Sequence, residues 1–199
     1  MNALILITDI VEKAVLVLLI GMSIWSISIM IDRRRFLNSF LSDQGFAQIK
    51  SLVLDRKITQ QNLDSDHIYA KMFKTLKDYT VSFENAQSFE KGVSSFLKEE
   101  RAKLDKGLNI LATLGANAPF IGLFGTVLGI IRAFAYLGSQ SGSTAVMTGV
   151  SQALYATAMG LLVAIPAVVA FNYYSNQIKK SYQKLESLRD LYISQMESK

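Results

Sequence analysis

The side chains best placed to do chemistry here are hydroxyls and an amide rather than acids or bases. Thr126, Thr148, Thr157, Gln152 and Tyr155 stand in two apolar stretches, residues 107–131 and 138–178, that contain no Asp, Glu, Lys or Arg. Such groups can line a polar path, but none of them titrates near neutral pH. If protons are handled at the middle of these stretches, the acid must come from another chain.

What surrounds these groups is small. Ala118, Gly122, Gly125, Gly129 and Ala133 recur at helical spacing, and Gly115, Pro119, Gly122 and Thr126 share an overlapping face. In the second stretch Ala153, Thr157, Gly160 and Ala164 form another small-residue stripe, beside a more polar face of Thr148, Gln152, Tyr155 and Met159. Inside lipid, small stripes let helix backbones approach closely, which replaces the hydrophobic drive that lipid cannot supply. The plainer reading is that both stripes only pack, and that the Thr hydroxyls bond back to their own helices. Pro119 and Pro166 are the only prolines, and membrane helices tolerate proline.

The elements that must position these residues follow from charge segregation. Of 199 residues, 50% are hydrophobic, the mean hydropathy is +0.27 and the formal net charge is +5. Charge is concentrated in residues 32–106 and 179–199, the pattern of a polytopic membrane protein. The basic residues flank apolar spans, so they read as topology determinants and not as a nucleic-acid surface. With no Cys and a single His, His67, there is no disulfide and no metal-ligand spacing. Asp9 and Glu12 precede the first apolar run without a basic leader or a small-residue cleavage site, so that run is expected to be a retained anchor.

The expected organisation is all-α. Residues 1–31 hold an outer N-terminus and a first transmembrane helix, residues 11–31, closed by Asp32-Arg33-Arg34-Arg35. Residues 32–110 form a cytoplasmic helical region, with helix starts expected at Leu63-Asp64-Ser65-Asp66 and near Phe83-Glu84. Ile68, Met72, Leu76 and Tyr79, then Phe89, Val93, Phe96, Leu97, Leu104, Leu108 and Leu111, recur at helical spacing. No stop signal follows the second series, so one helix of roughly 75 Å is expected from about residue 85 past residue 136. Residues 111–137 are the second transmembrane helix, 138–144 a short periplasmic turn, 145–173 the third transmembrane helix, and 174–199 a cytoplasmic C-terminal helix. Thus two of the three transmembrane helices extend far into the cytoplasm. Basic flanks place the C-terminus in the cytoplasm and the N-terminus outside.

Two motifs go further. Gly115-x-x-Ala-Pro-Phe-Ile-Gly-Leu-Phe-Gly-Thr-Val-x-Gly-Ile is followed by Gln152-Ala-Leu-x-Ala-Thr-Ala-x-Gly-Leu-x-x-Ala-Ile-Pro-Ala-Val-x-x-x-Asn172. Together they closely resemble the ExbB/TolQ branch of the MotA/TolQ/ExbB proton-channel family, most densely over residues 111–173. The resemblance implies a ring, usually a homopentamer, in the bacterial inner membrane. The ring would enclose single-span ExbD- or TolR-like partners that carry a membrane Asp. Proton flow would then energise outer-membrane transport or envelope maintenance through a TonB- or TolA-like linker. By motif position Thr126 and Thr157 would face the lumen near that Asp. A hydroxyl donates to a carboxylate and accepts from a carboxylic acid, so Thr serves both protonation states.

Two residues stand apart from this pattern. The branch commonly has Glu where this chain has Gln152, so either that acid is dispensable or protons reach this channel differently. Arg132 lies near the outer end of the second span, where it could snorkel to the interface as an anchor. Its functional alternative is a gate or a contact with the partner's periplasmic linker. The competing functions are a non-conducting scaffold for the partner and linker, and a small-solute transporter, which lacks the charged or broken helices it would need. Nothing suggests an enzyme, a cofactor or a metal.

Overall fold

In the computed structural model of the chain, residues 2–41, 43–54, 67–82, 86–137 and 142–197 are described. Six helices follow one another: α1 (Asn2–Phe40), α2 (Asp43–Leu54), α3 (Ile68–Ser82), α4 (Ala86–Asp105), α5 (Leu108–Leu137) and α6 (Gly142–Glu197). No strand occurs among the described residues. Three helices, α1, α5 and α6, are long and apolar enough to cross a membrane. The chain is an all-α, multi-pass membrane protein. The expected helix starts at Leu63–Asp66 and at Phe83-Glu84 lie outside the described residues, as do residues 138–141 of the expected turn.

The chain divides into two compact units. The first comprises Met1–Ile31 and Gly107–Asn172. Here α1 lays Val15 and Leu19 against Ala118 of α5 and Val163 and Ala164 of α6. Outward-facing side chains are large and apolar, with Val17 69%, Phe120 69% and Leu162 62% exposed. Lipid or neighbouring subunits must cover such a surface, since water would not tolerate it over this area.

The second unit comprises Asp32–Lys106 and Tyr173–Lys199. Its core holds Ile68, Met72 and Leu76 of α3, Val93, Leu97 and Leu104 of α4, and Leu185 and Leu188 of α6, all nearly or fully buried. Those of α3 and α4 are positions that the helical spacing singles out. Polar and aromatic contacts add to it: Tyr192 packs edge-on against Phe73 and shares a 3.2 Å hydrogen bond with Thr80, and Arg101 sits over the Tyr182 ring.

One expectation is corrected. The long helix from residue 85 past 136 is two helices, because α4 ends at Asp105 and α5 begins at Leu108. Gly107 between them has φ 80°, a left-handed conformation that ends helices and that glycine adopts without a Cβ clash.

Candidate functional site

The site is built on the α5–α6 contact within the first unit, and that contact has almost no side-chain layer. A Cβ at Gly122 would lie 2.6 Å from the carbonyl oxygen of Ala156, and one at Gly160 would lie 2.6 Å from that of Ala118. Gly115, Gly125 and Gly129 are equally tight, at 2.5 Å from Val168, 2.7 Å from Ala156 and 2.5 Å from Ala153. The two small stripes read from sequence therefore face each other. Each proline removes one backbone donor from its helix: Pro119 leaves the Gly115 carbonyl, and Pro166 the Leu162 carbonyl, without the usual partner four residues on.

Close approach brings two hydroxyls together. Thr126 and Thr157 hydrogen-bond to each other across the interface. Thr126 Oγ1 also lies 3.2 Å from the Gly122 carbonyl on its own helix and 3.4 Å from the Ala153 carbonyl on the other. Thr126 is buried, whereas Thr157 is half-buried outside it. A hydroxyl has one proton to give. When Thr126 gives it to a carbonyl, Thr157 donates to Thr126 and offers only lone pairs outward. When Thr126 gives it to Thr157, the proton of Thr157 is free to point outward. Two hydroxyl rotations thus change the outer group from acceptor to donor, with no buried group left unbonded. Thr148, Gln152 and Tyr155 are exposed on α6.

At the other end of α5 stands its one charged residue, Arg132. It is 9% exposed and turned onto α1. Its Nη1 donates to Asp9 Oδ1 at 2.7 Å and lies 3.0 Å from Glu12 Oε2. Its Nη2 donates to Gln152 Oε1 at 3.2 Å and, more weakly, to Glu12 Oε1 at 3.4 Å. Glu12 fits there because Gly129 leaves the space: a Cβ on Gly129 would come within 3.6 Å of Glu12 Oε1. With its oxygen held by Arg132, the Gln152 amide has its N–H groups left to give elsewhere. The structure thus joins Arg132 and Gln152, and separately Thr126 and Thr157.

The sequence reading missed Asp9 and Glu12, using them only to characterise the N-terminus. A signal was present. A lone Arg in an otherwise uncharged membrane helix calls for a counter-charge, and two carboxylates three residues apart share a helix face.

Comparison with known proteins places this geometry. Residues 55–187 match the MotA/TolQ/ExbB proton channel family. The chain belongs to that family. Within it, relatives named ExbB and TolQ mark the ExbB/TolQ branch. An ExbB-like biopolymer transport protein of Helicobacter pylori is 58% identical over 71 residues, 35% of this chain and 47% of its own length. The biopolymer transport protein ExbB of Neisseria gonorrhoeae is 46% identical over 101 residues, 49% of this chain and 46% of its own. The Tol-Pal system protein TolQ of Pseudomonas aeruginosa is 46% identical over 81 residues, 40% of this chain and 35% of its own. The matched stretches span less than half the length of each of these curated relatives. The MotA/TolQ/ExbB family is one of proton channels, not of enzymes.

Proposed function

We propose that this chain is a ring subunit, five copies to a ring, of an assembly in the bacterial inner membrane driven by the proton gradient. An ExbD/TolR-like single-span partner would supply the membrane Asp. Together they would conduct protons and energise outer-membrane transport or envelope maintenance through a TonB/TolA-like linker. In this reading the N-terminus is periplasmic and the C-terminus cytoplasmic.

The observation that carries the reading is the Thr126–Thr157 pair in helices without an Asp, Glu, Lys or Arg at that depth. A carboxylate arriving at Thr157 needs a donor, and a carboxylic acid needs an acceptor. The coupled rotation supplies either one: Thr126 donates to the Gly122 or Ala153 carbonyl in the one state and to Thr157 in the other. The pair therefore accommodates both states of a passing acid without storing a charge in lipid, where an unpaired charge is costly. Gln152, with its oxygen occupied by Arg132, offers an amide N–H on the exposed face of α6 beside the stripe that holds Thr157.

The test is proton flux into liposomes holding this chain alone, then with its Asp-bearing partner. Flux that requires the partner, and is lost when the partner's Asp becomes Asn, is the expected result. Flux from this chain alone overturns the composite-channel reading. No flux from a correctly assembled ring favours the scaffold, for which Gln152 in place of an acid is the supporting observation.

A further inference from the structure

The second unit carries an open groove of about 350 Å³ along α6, beside Leu41 just past the end of α1. Its α6 residues, Tyr173, Asn176, Gln177, Lys180, Ser181 and Lys184, recur three or four apart and so share one helix face. The lining holds two cations and no carboxylate. Lys180 and Lys184 stand one turn apart, a spacing at which like charges repel. Lys184 Nζ also lies 5.3 Å from the centre of the Phe46 ring, which holds it at the groove. The neutral groups are donors too. Gln177 Nε2 donates to the Tyr173 hydroxyl oxygen at 2.8 Å, so the Tyr173 proton is left to give. Asn176 adds amide N–H groups, and Ser181, 6% exposed, a deeply set hydroxyl. Two turns before Leu41, on the same face of α1, stands Arg33. Its side chain is 10% exposed, its Nη1 is buried without a hydrogen bond, and its Nη2 meets only the solvated Asp32, at 3.4 Å.

The complement of such a face is an anion that accepts several hydrogen bonds, and its position selects the kind. The uncharged run of α1 ends at Ile31 and that of α6 at Ile178, so both helices leave the apolar layer near the groove. Tyr173 is exposed there, an amphipathic ring of the type that marks a membrane boundary. Two turns of helix, about 10 Å, separate Lys180 from Tyr173. The headgroup layer is roughly 5–7 Å thick on each side, and a lysine stem reaches back across the difference. We propose that the groove holds the phosphate headgroup of an anionic phospholipid, seated between Lys180 and Lys184, with its acyl chains leading back past Tyr173 into the bilayer. The phosphate screens two like charges from each other and takes the hydrogens of Tyr173, Asn176 and Ser181. It thereby ties α6 to the end of α1. Lipid binding at this place is independent of whether the assembly conducts protons.

The test is lipid retention by the full chain, held in detergent with equal amounts of phosphatidylglycerol and phosphatidylcholine and read by native mass spectrometry. Wild type should retain phosphatidylglycerol in preference to phosphatidylcholine. A lysine facing an anionic lipid is worth about fivefold in affinity, so Lys180→Gln with Lys184→Gln should weaken retention about 30-fold. Lys180→Arg with Lys184→Arg should keep it. Lys74→Gln with Lys77→Gln, which removes the same charge from the exposed face of α3, should match wild type. Equal retention of the two lipids, or equal loss in both double Gln variants, overturns the proposal and leaves only general surface attraction. Displacement of the lipid by soluble glycerol phosphate at matched phosphate concentration also overturns it, and makes the groove a site for free anions. A groove variant that fails to assemble in phosphatidylcholine alone overturns it as well, and makes the groove a contact between copies. Amine labelling of the unsubstituted protein reads the same contact without a variant. Phosphatidylglycerol vesicles should protect Lys180 and Lys184 more than Lys74 and Lys77, relative to phosphatidylcholine vesicles; equal protection overturns the proposal. No readout uses flux, so failure here is separate from failure of the channel reading.

Discussion

Replacing Arg132 by Met should be among the most damaging single changes in the membrane unit. Met preserves much of the side-chain volume but removes the only buried cation facing Glu12. At the observed 3.0 Å separation, and with an effective dielectric of about 20, the lost attraction is about 5.5 kcal/mol before relaxation offsets part of it. Removing one member of a buried pair costs about 3–5 kcal/mol, because the other charge stays behind. The Asp9 contact adds little, since Asp9 is partly exposed and keeps Lys13. The total expected is therefore about 3–5 kcal/mol, read as unfolding free energy by detergent titration in bicelles. The double variant Arg132→Met with Glu12→Leu should recover most of it, because no buried charge remains. A cost below about 1 kcal/mol, or a double variant no better than the single, would refute the reasoning.

Other outcomes follow from the same contacts. Thr126→Val with Thr157→Val should fold normally but lose most proton-dependent activity in the partnered assembly; full activity at normal expression removes the Thr pair from the mechanism. Gly160→Leu should separate α5 from α6, since even a Cβ there meets the Ala118 carbonyl at 2.6 Å; it should cost at least the ~1–3 kcal/mol typical of overpacking, seen as lost ring assembly on size exclusion. Gln152→Glu should leave the pH dependence of flux close to wild type, because Arg132 Nη2 already donates to that position; a large shift means that a ring acid at 152 takes part. In the second unit, Lys103 is held above its ordinary value of 10.5 by the hydrogen bond it donates to Glu100, and by the charge of that residue. That contribution is complete below about 10.5 and is lost as pH rises through the elevated value. Lys103 is largely exposed, so Lys103→Met should cost under about 1 kcal/mol at neutral pH and nothing at strongly alkaline pH.

Much of this architecture was legible in the residues. The stripes through Ile68, Met72 and Leu76, and through Val93, Leu97 and Leu104, became buried helix faces because burial of one face is what the 3.6-residue spacing encodes. The small stripes of α5 and α6 found each other for a similarly local reason: in lipid, only Gly and Ala allow that approach. The helix end at Asp105 was missed because a lone glycine inside helical spacing is tolerated as often as it terminates, and only the φ of Gly107 distinguishes the two. The Arg132 cluster was missed because it joins residues more than a hundred positions apart. Periodicity reports the face of one helix, never which other helix will meet it.

The backbone contact between α5 and α6 has a mechanical consequence. Side chains deform by changing rotamers, but Gly122 and Gly160 meet backbone directly, so that seam has no soft layer to compress or shear. A push from a neighbouring helix cannot be absorbed by repacking there. It must displace the pair as one stiff plate, and so deliver the work of the push to whatever lies on the far side.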